Sequence, residues 1–563
     1  VWRSYLDRCP GIIATIGGLL GLLTLLDALL PEQSEWVHAI TGIIPMAEGE
    51  AAAAVSAVSG LMLLRVAAAL RKRKRRAWGL AVGVTLTLVI AYVPRGHHPL
   101  GESLVALVLL LLLLTARSRF TAKSDPVTRW FAARVGAQFF AVAVIYGISV
   151  FYLSPNRVGG HPSFWLRLQQ TVYGLVGMHG PLQLRGHRFP EVVHATLLGF
   201  GLLTAVSVAL LALRPAEPIA RLSPADETRL RELLRRHGAR DSLGYFATRR
   251  DKSIVWSATG KAAITYRVVH GVALASGDPV GDPEAWPGAI AAYQNLVQSY
   301  GWTAAVIGCS ELGATIFRRD MNLSALAIGD EAILDVADFT LEGRSMRGVR
   351  QACGRIERSG YDLRVRRASD IGDEELAELL RVAAEWRGNQ VERGFSMALS
   401  RLGDRSDGDC VLVTAHAGER LTGLLHFVPW GPHGLSLDVM RRDRDADNGL
   451  NEFLIVTLIQ ACPELNVTRV SLNFVVFRDA IERGQKIGAG PILRVWRRVL
   501  VYLSRWWQIE SLYRFNVKFR PDWEPRLLSY AAARDLPRIT LAALEAEAFL
   551  VRPHGLKRML GRG

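Results

Sequence analysis

A chain of 563 residues, half of them hydrophobic, is long enough for two to four folding units and is not a single small domain. Lys and Arg number 68 against 52 Asp and Glu, a formal charge of +16 that favours anionic partners, phospholipid headgroups or nucleic acid, without choosing between them. Five scattered cysteines, Cys9, Cys309, Cys353, Cys410 and Cys462, include no CxxC pair, which argues against a disulfide framework or a zinc cluster and fits a reducing compartment.

The first third carries six stretches near the ~20 apolar residues that cross a bilayer: roughly 11–30, 51–70, 77–93, 100–116, 135–153 and 191–213. No early run reads as a removable signal peptide. The segment from Pro31 to Glu50 lacks Lys and Arg, whereas the next connection is Arg71-Lys-Arg-Lys-Arg-Arg76. Because basic residues are retained on the cytoplasmic side, the first is placed outside and the second inside, and an even number of spans puts both chain ends in the cytosol. The loop from Ser154 to Pro190, with Phe164, Trp165 and Tyr173, is expected to rest at the membrane interface.

Arg214-Pro-Ala-Glu-Pro218 breaks the last span, and Ser223-Pro-Ala-Asp-Glu227 has the cap and first-turn proline of a helix start. Strand-like runs follow at Ser253–Trp256, Ala262–Val269, Val272–Ala275 and Ala304–Ile307, with a helix pattern over Trp286–Tyr300. A second series repeats the alternation: helix Asp373–Arg387, strands Cys410–Ala415, Thr422–Val428 and Leu435–Val439, helix Gly449–Cys462, strand Val470–Phe474. The expected organisation is a multi-pass α-helical membrane domain over 1–213, then a cytosolic α/β region with two similar halves, 214–370 and 371–563.

Two cation-rich segments stand out. Leu341-Glu-Gly-Arg-Ser-Met-Arg-Gly-Val-Arg350, continuing through Arg355 and Arg358, is either a phosphate-binding surface or a solvated helix face. Arg494-Val-Trp-Arg-Arg498 with Ser504-Arg-Trp-Trp507 suits stacking on unpaired bases, a headgroup layer, or core packing. His416, His426 and His433 lack metal-site spacing, so no metal is expected. No Gly-x-Ser-x-Gly elbow or convincing nucleophilic cysteine is present, which favours direct attack over a covalent acyl-enzyme.

Several segments of residues 220–530 resemble the carboxy-terminal domain of the multiple peptide resistance factor family, the bacterial aminoacyl-phosphatidylglycerol synthases. They are Ser276-Gly-Asp-Pro-Val-Gly281, Asp338-Phe-Thr-Leu-Glu-Gly343 leading into Met346, Arg347 and Arg350, Arg393-Gly-Phe-Ser-Met397, Leu437-Asp-Val-Met-Arg441, Gly449-Leu-Asn-Glu-Phe453, and the stretch from Ser511 to Arg526. That last stretch, with Ser471-Leu-Asn-Phe474 and Trp506-Trp-Gln-Ile-Glu510, looks closest to the actinobacterial members fused to a lysyl-tRNA ligase. No ligase-like segment follows residue 530, so a ligase is expected as a separate protein or a further domain. One departure is Leu472-Asn-Phe-Val-Val-Phe-Arg478, where the family usually has Asn-Leu-Gly and a Pro-Leu end; Asn473 is kept.

The resemblance implies tandem acetyltransferase-like (GNAT) folds that move lysine from lysyl-tRNA to the glycerol hydroxyl of phosphatidylglycerol, with resistance to cationic antimicrobial peptides as the consequence. The absence of a clear pyrophosphate loop for coenzyme A fits a donor other than acetyl coenzyme A, and no cofactor is expected. Asp438 is then the base or the holder of the lysyl ammonium, and Arg441 binds phosphate or the tetrahedral oxygen; as structure, the two are a strand-end ion pair. Glu510 is assigned to the ammonium and Lys518 to phosphate, with Glu452 a second ammonium candidate. Asn473, Arg478, Tyr513, Arg347 and Arg350 complete the expected substrate-binding set. Alternatives are lipid flipping without synthesis, alanine as the amino acid, or diacylglycerol as the acceptor; a homo-oligomer is left open.

Overall fold

The computed structural model describes residues 11–19, 66–67, 70–71, 75–92, 100–117, 120, 126–178, 180–186, 189–212, 217–388, 394–476 and 509–550. They fall into two compact units, one centred on 1–216 and the other on 217–297 and 303–553.

In the first unit, helices α1 (Arg75–Tyr92), α2 (Leu100–Thr115), α3 (Pro126–Leu153) and α5 (Phe189–Ala212) occupy the third to sixth expected stretches, and residues 11–19 of the first are helical. Most of the second stretch lies outside the described residues. Among the described residues, two helical segments are long and apolar enough to cross a membrane, Ala133–Leu153 and Phe189–Ala209. The expected interfacial segment contains helix α4 (Phe164–Leu175), whose Phe164 and Trp165 are exposed. α5 packs against α3 and α4 around Ala143, Phe151, Leu175 and Leu197. The approach is so close that a Cβ on Gly201 would stand 1.8 Å from the Leu175 carbonyl oxygen.

The second unit opens with α6 (Pro224–His237), where Ser223 Oγ accepts the Asp226 N–H at 3.1 Å as the sequence predicts. Its strands are β1 (Ser253–Trp256), β2 (Ala262–Val269), β3 (Val272–Ser276), β4 (Val280–Gly281), β5 (Thr303–Cys309), β6 (Ser324–Asp335), β7 (Asp362–Arg367), β8 (Val411–Ala417), β9 (Arg420–Pro429), β10 (Gly434–Arg442), β11 (Arg469–Val476) and β12 (Asp522–Tyr530). The accompanying helices are α7 (Trp286–Tyr300), α8 (Glu311–Met321), α9 (Arg347–Arg358), α10 (Asp373–Arg387), α11 (Leu450–Ala461), α12 (Ile509–Val517) and α13 (Leu536–Ala546). Near-continuous apolar runs such as β2 and β5 are buried along their length, as helices covering both faces of a sheet require.

Among the described residues all twelve strands form one sheet in the order β1-β2-β3-β5-β12-β6-β11-β10-β9-β8-β7, with β4 beside β2. Each half contributes antiparallel strands and one parallel pair joined through a helix: β3 with β5 through α7, and β10 with β11 through α11. The halves exchange their next strands. β6, which follows β5 through α8, pairs with β11; β12, which follows β11 through α12, pairs with β5; and β6 and β12 pair with each other. The edge strand β7 lies before the expected boundary at residue 370 and pairs with β8. α9 packs on α11 over a core that includes Val349, Cys353, Leu450 and Leu454, while α13 covers the β3–β5 side through Ile539 and Ala542.

Candidate active site at a split between parallel strands

β10 and β11 are parallel neighbours for three rungs, Gly434 with Arg469, Leu435 with Val470 and Ser436 with Ser471. Beyond that rung each strand bulges, β10 between Leu437 and Val439 and β11 between Ser471 and Phe474, and the two no longer pair with each other. Each bulge is a register shift against the strand's other neighbour, β9 or β6, and re-aims the side chains beside it, so the pairing of β10 with β11 gives way to a wedge toward their carboxyl ends. Asp438 and Asn473 are the residues at the two bulges.

The root of the wedge is built from buried polar groups. Ser471 Oγ donates to Glu331 Oε1, and Ser436 Oγ donates to the Ser242 carbonyl at 2.8 Å. Arg526, 3% exposed, donates through Nε to Glu331 Oε2 at 2.8 Å and through Nη1 to Asp241 Oδ1 at 2.8 Å. Its Nη2 donates to Ser242 Oγ at 2.6 Å. Burying these charges is tolerable because each is paired and hydrogen-bonded. Asp278 joins through its N–H to Asp241 Oδ2; burial, and then the Asp241 charge, push its carboxyl up to about 6 against hydrogen bonds from Ser310.

Above the root, Asn473 adopts a left-handed φ of 70° and its Nδ2 donates to the carbonyls of Leu437 and Met397, each at 3.0 Å. The side chain replaces the backbone rung that the bulges remove. Asp438, its side chain fully buried, accepts from the Leu399 N–H at 2.7 Å through Oδ1 and faces His426 Nδ1 at 2.7 Å through Oδ2. Burial alone would depress His426, but the Cys410 sulfur and the Asp438 carboxylate outweigh it and push the imidazole up to about 10. The imidazole is thus held toward its protonated form beside the Asp438 carboxyl group. Arg441, three residues on, reaches α10 and donates to the Ala383 carbonyl at 3.2 Å.

A second group forms where α9, α11 and the turn after α12 converge. Lys518 Nζ donates to Glu452 Oε1 at 2.7 Å. Gly449, with φ 107°, sets α11 so close to α9 that a Cβ there would lie 2.9 Å from Ala352 Cβ. Arg520 Nη1 donates to Ser345 Oγ at 3.2 Å, and Arg350 donates to the Leu341 carbonyl, which folds the 341–346 segment over the start of α9. Arg344, Arg347, Arg350 and Arg520 are exposed there. Tyr513 packs its ring 6.1 Å from Trp523. Glu510 stands in the first turn of α12 with its side chain outside the described residues, and Arg478, Arg393 and the segment from Arg494 to Trp507 lie outside them too.

The structure thus brings Asp438 and Asn473 to one split, joins Lys518 to Glu452, and places Arg347 and Arg350 beside Arg520. The sequence pattern does not point to His426, Glu331 or Arg526 as parts of the site. Glu331 interrupts the apolar run of β6, and an acid at such a position is the signal that it has a buried partner.

Residues 231–530 match the family model described as phosphatidylglycerol lysyltransferase, C-terminal, and residues 5–213 match the transmembrane region of lysyl-tRNA synthetase. The lysylphosphatidylglycerol biosynthesis bifunctional protein LysX of Rhodococcus opacus (strain B4) is 42% identical over 555 residues, 97% of this chain and 49% of that protein. The protein of the same description from Nocardia farcinica (strain IFM 10152) is 44% identical over 496 residues, 86% of this chain and 43% of that protein. The chain spans about half the length of the curated relatives it matches. The solved structure of L-PGS from Bacillus licheniformis is 22% identical and covers 59% of this chain and 99% of its own, with a TM-score of 0.49.

Proposed function

Because the chain belongs to the phosphatidylglycerol lysyltransferase family, we propose that it transfers lysine from lysyl-tRNA to the glycerol hydroxyl of phosphatidylglycerol. The observation that carries this reading is the split between β10 and β11, with the buried Asp438 and His426 pair at its side, Lys518 in the turn after α12 and the Arg347 and Arg350 cations on α9. Each half is read as an acetyltransferase-like fold, the first over 214–370 and the second over 371–563.

The ester between an amino acid and the tRNA ribose is already activated, so the transfer asks for alignment, removal of one proton and cations for the phosphate and the oxyanion. In this reading Asp438 orders the wedge and, with His426, handles the proton or the lysyl ammonium. Asn473 holds the two strands apart at a fixed width. Arg441, Lys518, Arg478, Arg347 and Arg350 face phosphates of lipid and tRNA, and Glu510, Glu452 and Tyr513 surround the amino acid. The product exchanges an anionic headgroup for a cationic one, which lowers the attraction of the membrane for cationic peptides. The transmembrane region is read as multi-pass with both ends in the cytosol, and a lysyl-tRNA ligase, fused or separate, as the supplier of the donor.

The test is to reconstitute the chain in phosphatidylglycerol vesicles and supply tRNA charged with radiolabelled lysine or alanine, with diacylglycerol vesicles in parallel. Label entering phosphatidylglycerol from lysyl-tRNA supports the reading. Label from alanyl-tRNA, or label entering diacylglycerol, changes the substrate and keeps the chemistry. No label in any lipid removes the transferase reading and leaves lipid translocation.

A further inference from the structure

The loop from Gly394 to Arg401 leaves the second half of the sheet, enters the first, and returns. Phe395 is completely buried in the core of the first half with Val272, Ile307 and Ile539, and its ring lies 4.5 Å from Lys252 Nζ and 5.0 Å from Arg267 Cζ. Glu547, at the end of α13, accepts the Phe395 N–H at 2.5 Å and both the Ser396 N–H and Oγ–H, at 3.0 and 2.5 Å. Arg249 donates to the Gly394 carbonyl and, at 2.8 Å, to the Ala398 carbonyl, while Asp251 holds its guanidinium at 2.7 and 2.9 Å. Arg401 closes the far end on the Thr248 carbonyl at 2.6 Å.

The other side of the same loop holds the wedge. Met397 offers its carbonyl to Asn473 Nδ2, and Leu399 its N–H to Asp438 Oδ1. The two atoms that fix the bulge residues therefore stand on a strap whose anchors, Arg249 and Glu547, belong to elements packed on the β2–β3–β5 side. Both anchors are buried, 6% and 5% exposed, and neither touches Asp438 or Asn473 in the bonds described above. One guanidinium nitrogen shared by two loop carbonyls, its other two held by Asp251, and a carboxylate on three donors are directional contacts that fix a loop more tightly than apolar packing alone.

We propose that Arg249 and Glu547 are positioning residues for the transfer: through the strap they set Asp438 and Asn473, so the first half of the sheet controls the chemistry performed at the second. The inference rests on the reading of Asp438 as part of the reacting site. Displacing a reacting group by a fraction of an ångström slows chemistry and leaves substrate affinity nearly intact.

The test uses the full chain in phosphatidylglycerol vesicles and follows lysine transfer from lysyl-tRNA, with rates expressed per folded molecule. Arg249→Lys keeps the charge and loses the planar guanidinium that Asp251 orients toward the two loop carbonyls; Ser396→Ala removes one of the three bonds to Glu547 and keeps the fold if Arg249→Lys does not. We expect Arg249→Lys to lower the saturated rate roughly tenfold and Ser396→Ala roughly threefold, with the half-saturating lysyl-tRNA concentration moved by less than about twofold. In the Asp438→Asn background neither change should slow the reaction further, because residues acting as a unit are not additive. Wild-type rates in both strap variants, or losses that multiply with Asp438→Asn, overturn the inference while the reading of Asp438 stands. A wild-type rate in Asp438→Asn itself overturns both.

Discussion

Lys518 Nζ lies 2.7 Å from Glu452 Oε1, joining the turn after α12 to the first turn of α11 across 66 residues of chain. The lysine is half exposed, so the pair adds at most ~1 kcal/mol to stability. Lys518→Ala is therefore expected to leave the thermal midpoint almost unchanged while slowing lysine transfer roughly tenfold or more, the loss typical of a removed transition-state cation. Melting and transfer measured on one preparation decide the matter: equal losses in both would take Lys518 out of the substrate site.

His426 and Asp438 make the opposite combination, a pair with side chains 1% and 0% exposed. His426→Gln leaves a buried carboxylate without its cation and is expected to cost about 3–5 kcal/mol in urea unfolding. The pair also has a pH signature. The imidazole is raised from 6.5 to about 10, so its stabilising charge is fully present below pH 6.5 and is lost as the pH rises through about 10. The stability difference between wild type and His426→Gln should shrink across that window; a difference that stays flat or grows would mean the imidazole is neutral.

Arg347 and Arg350 are exposed at the start of α9, beside Arg520 and Ser345. If they meet phosphates, Arg347→Gln and Arg350→Gln raise the half-saturating lysyl-tRNA concentration without lowering the saturated rate, and each reduces the slope of log affinity against log salt by about 1. Titrations at several salt concentrations measure both. An unchanged slope would return the two arginines to a solvated helix face.

Gly449→Ala tests the helix contact that brings Glu452 to Lys518. The added methyl meets Ala352 and is placed on a backbone with φ 107°, so a loss of about 1–3 kcal/mol is expected, with a lower transfer rate as α11 shifts. A variant as stable as wild type would show that α9 and α11 separate freely.

Much of this arrangement is legible in the residues. Periodicity locates β1 to β3, α7, α10, β8 to β11 and α11 to within a few positions, because each is a plain apolar pattern bounded by turn residues. The exchanged strands are not. β6 carries Asp330 and Glu331 in its middle, and β12 carries Pro525 and Arg526, residues that read against a central strand. Pro525 is accommodated because β12 pairs there with β6 alone and gains β5 as a second neighbour from Leu527 onward. Glu331 and Arg526 satisfy each other, and no local pattern reports a partner 195 residues away. The same holds for Asp438: its spacing to Arg441 suggests a strand-end pair, whereas the chain folds it onto His426, and the bulge that turns it there depends on neighbouring strands.

The exchange of β6 and β12 bears on how the protein is made. Cys309 and Leu527, side by side in the finished sheet, are 218 residues apart, so a ribosome that has released β1 to β5 has yet to synthesise the strand that flanks them. At about 5–20 residues per second that interval lasts roughly 10–45 s, during which β5 has an open edge. A gene fragment ending near residue 370 would leave that edge open permanently, and the two halves are expected to be inherited, expressed and degraded as one piece.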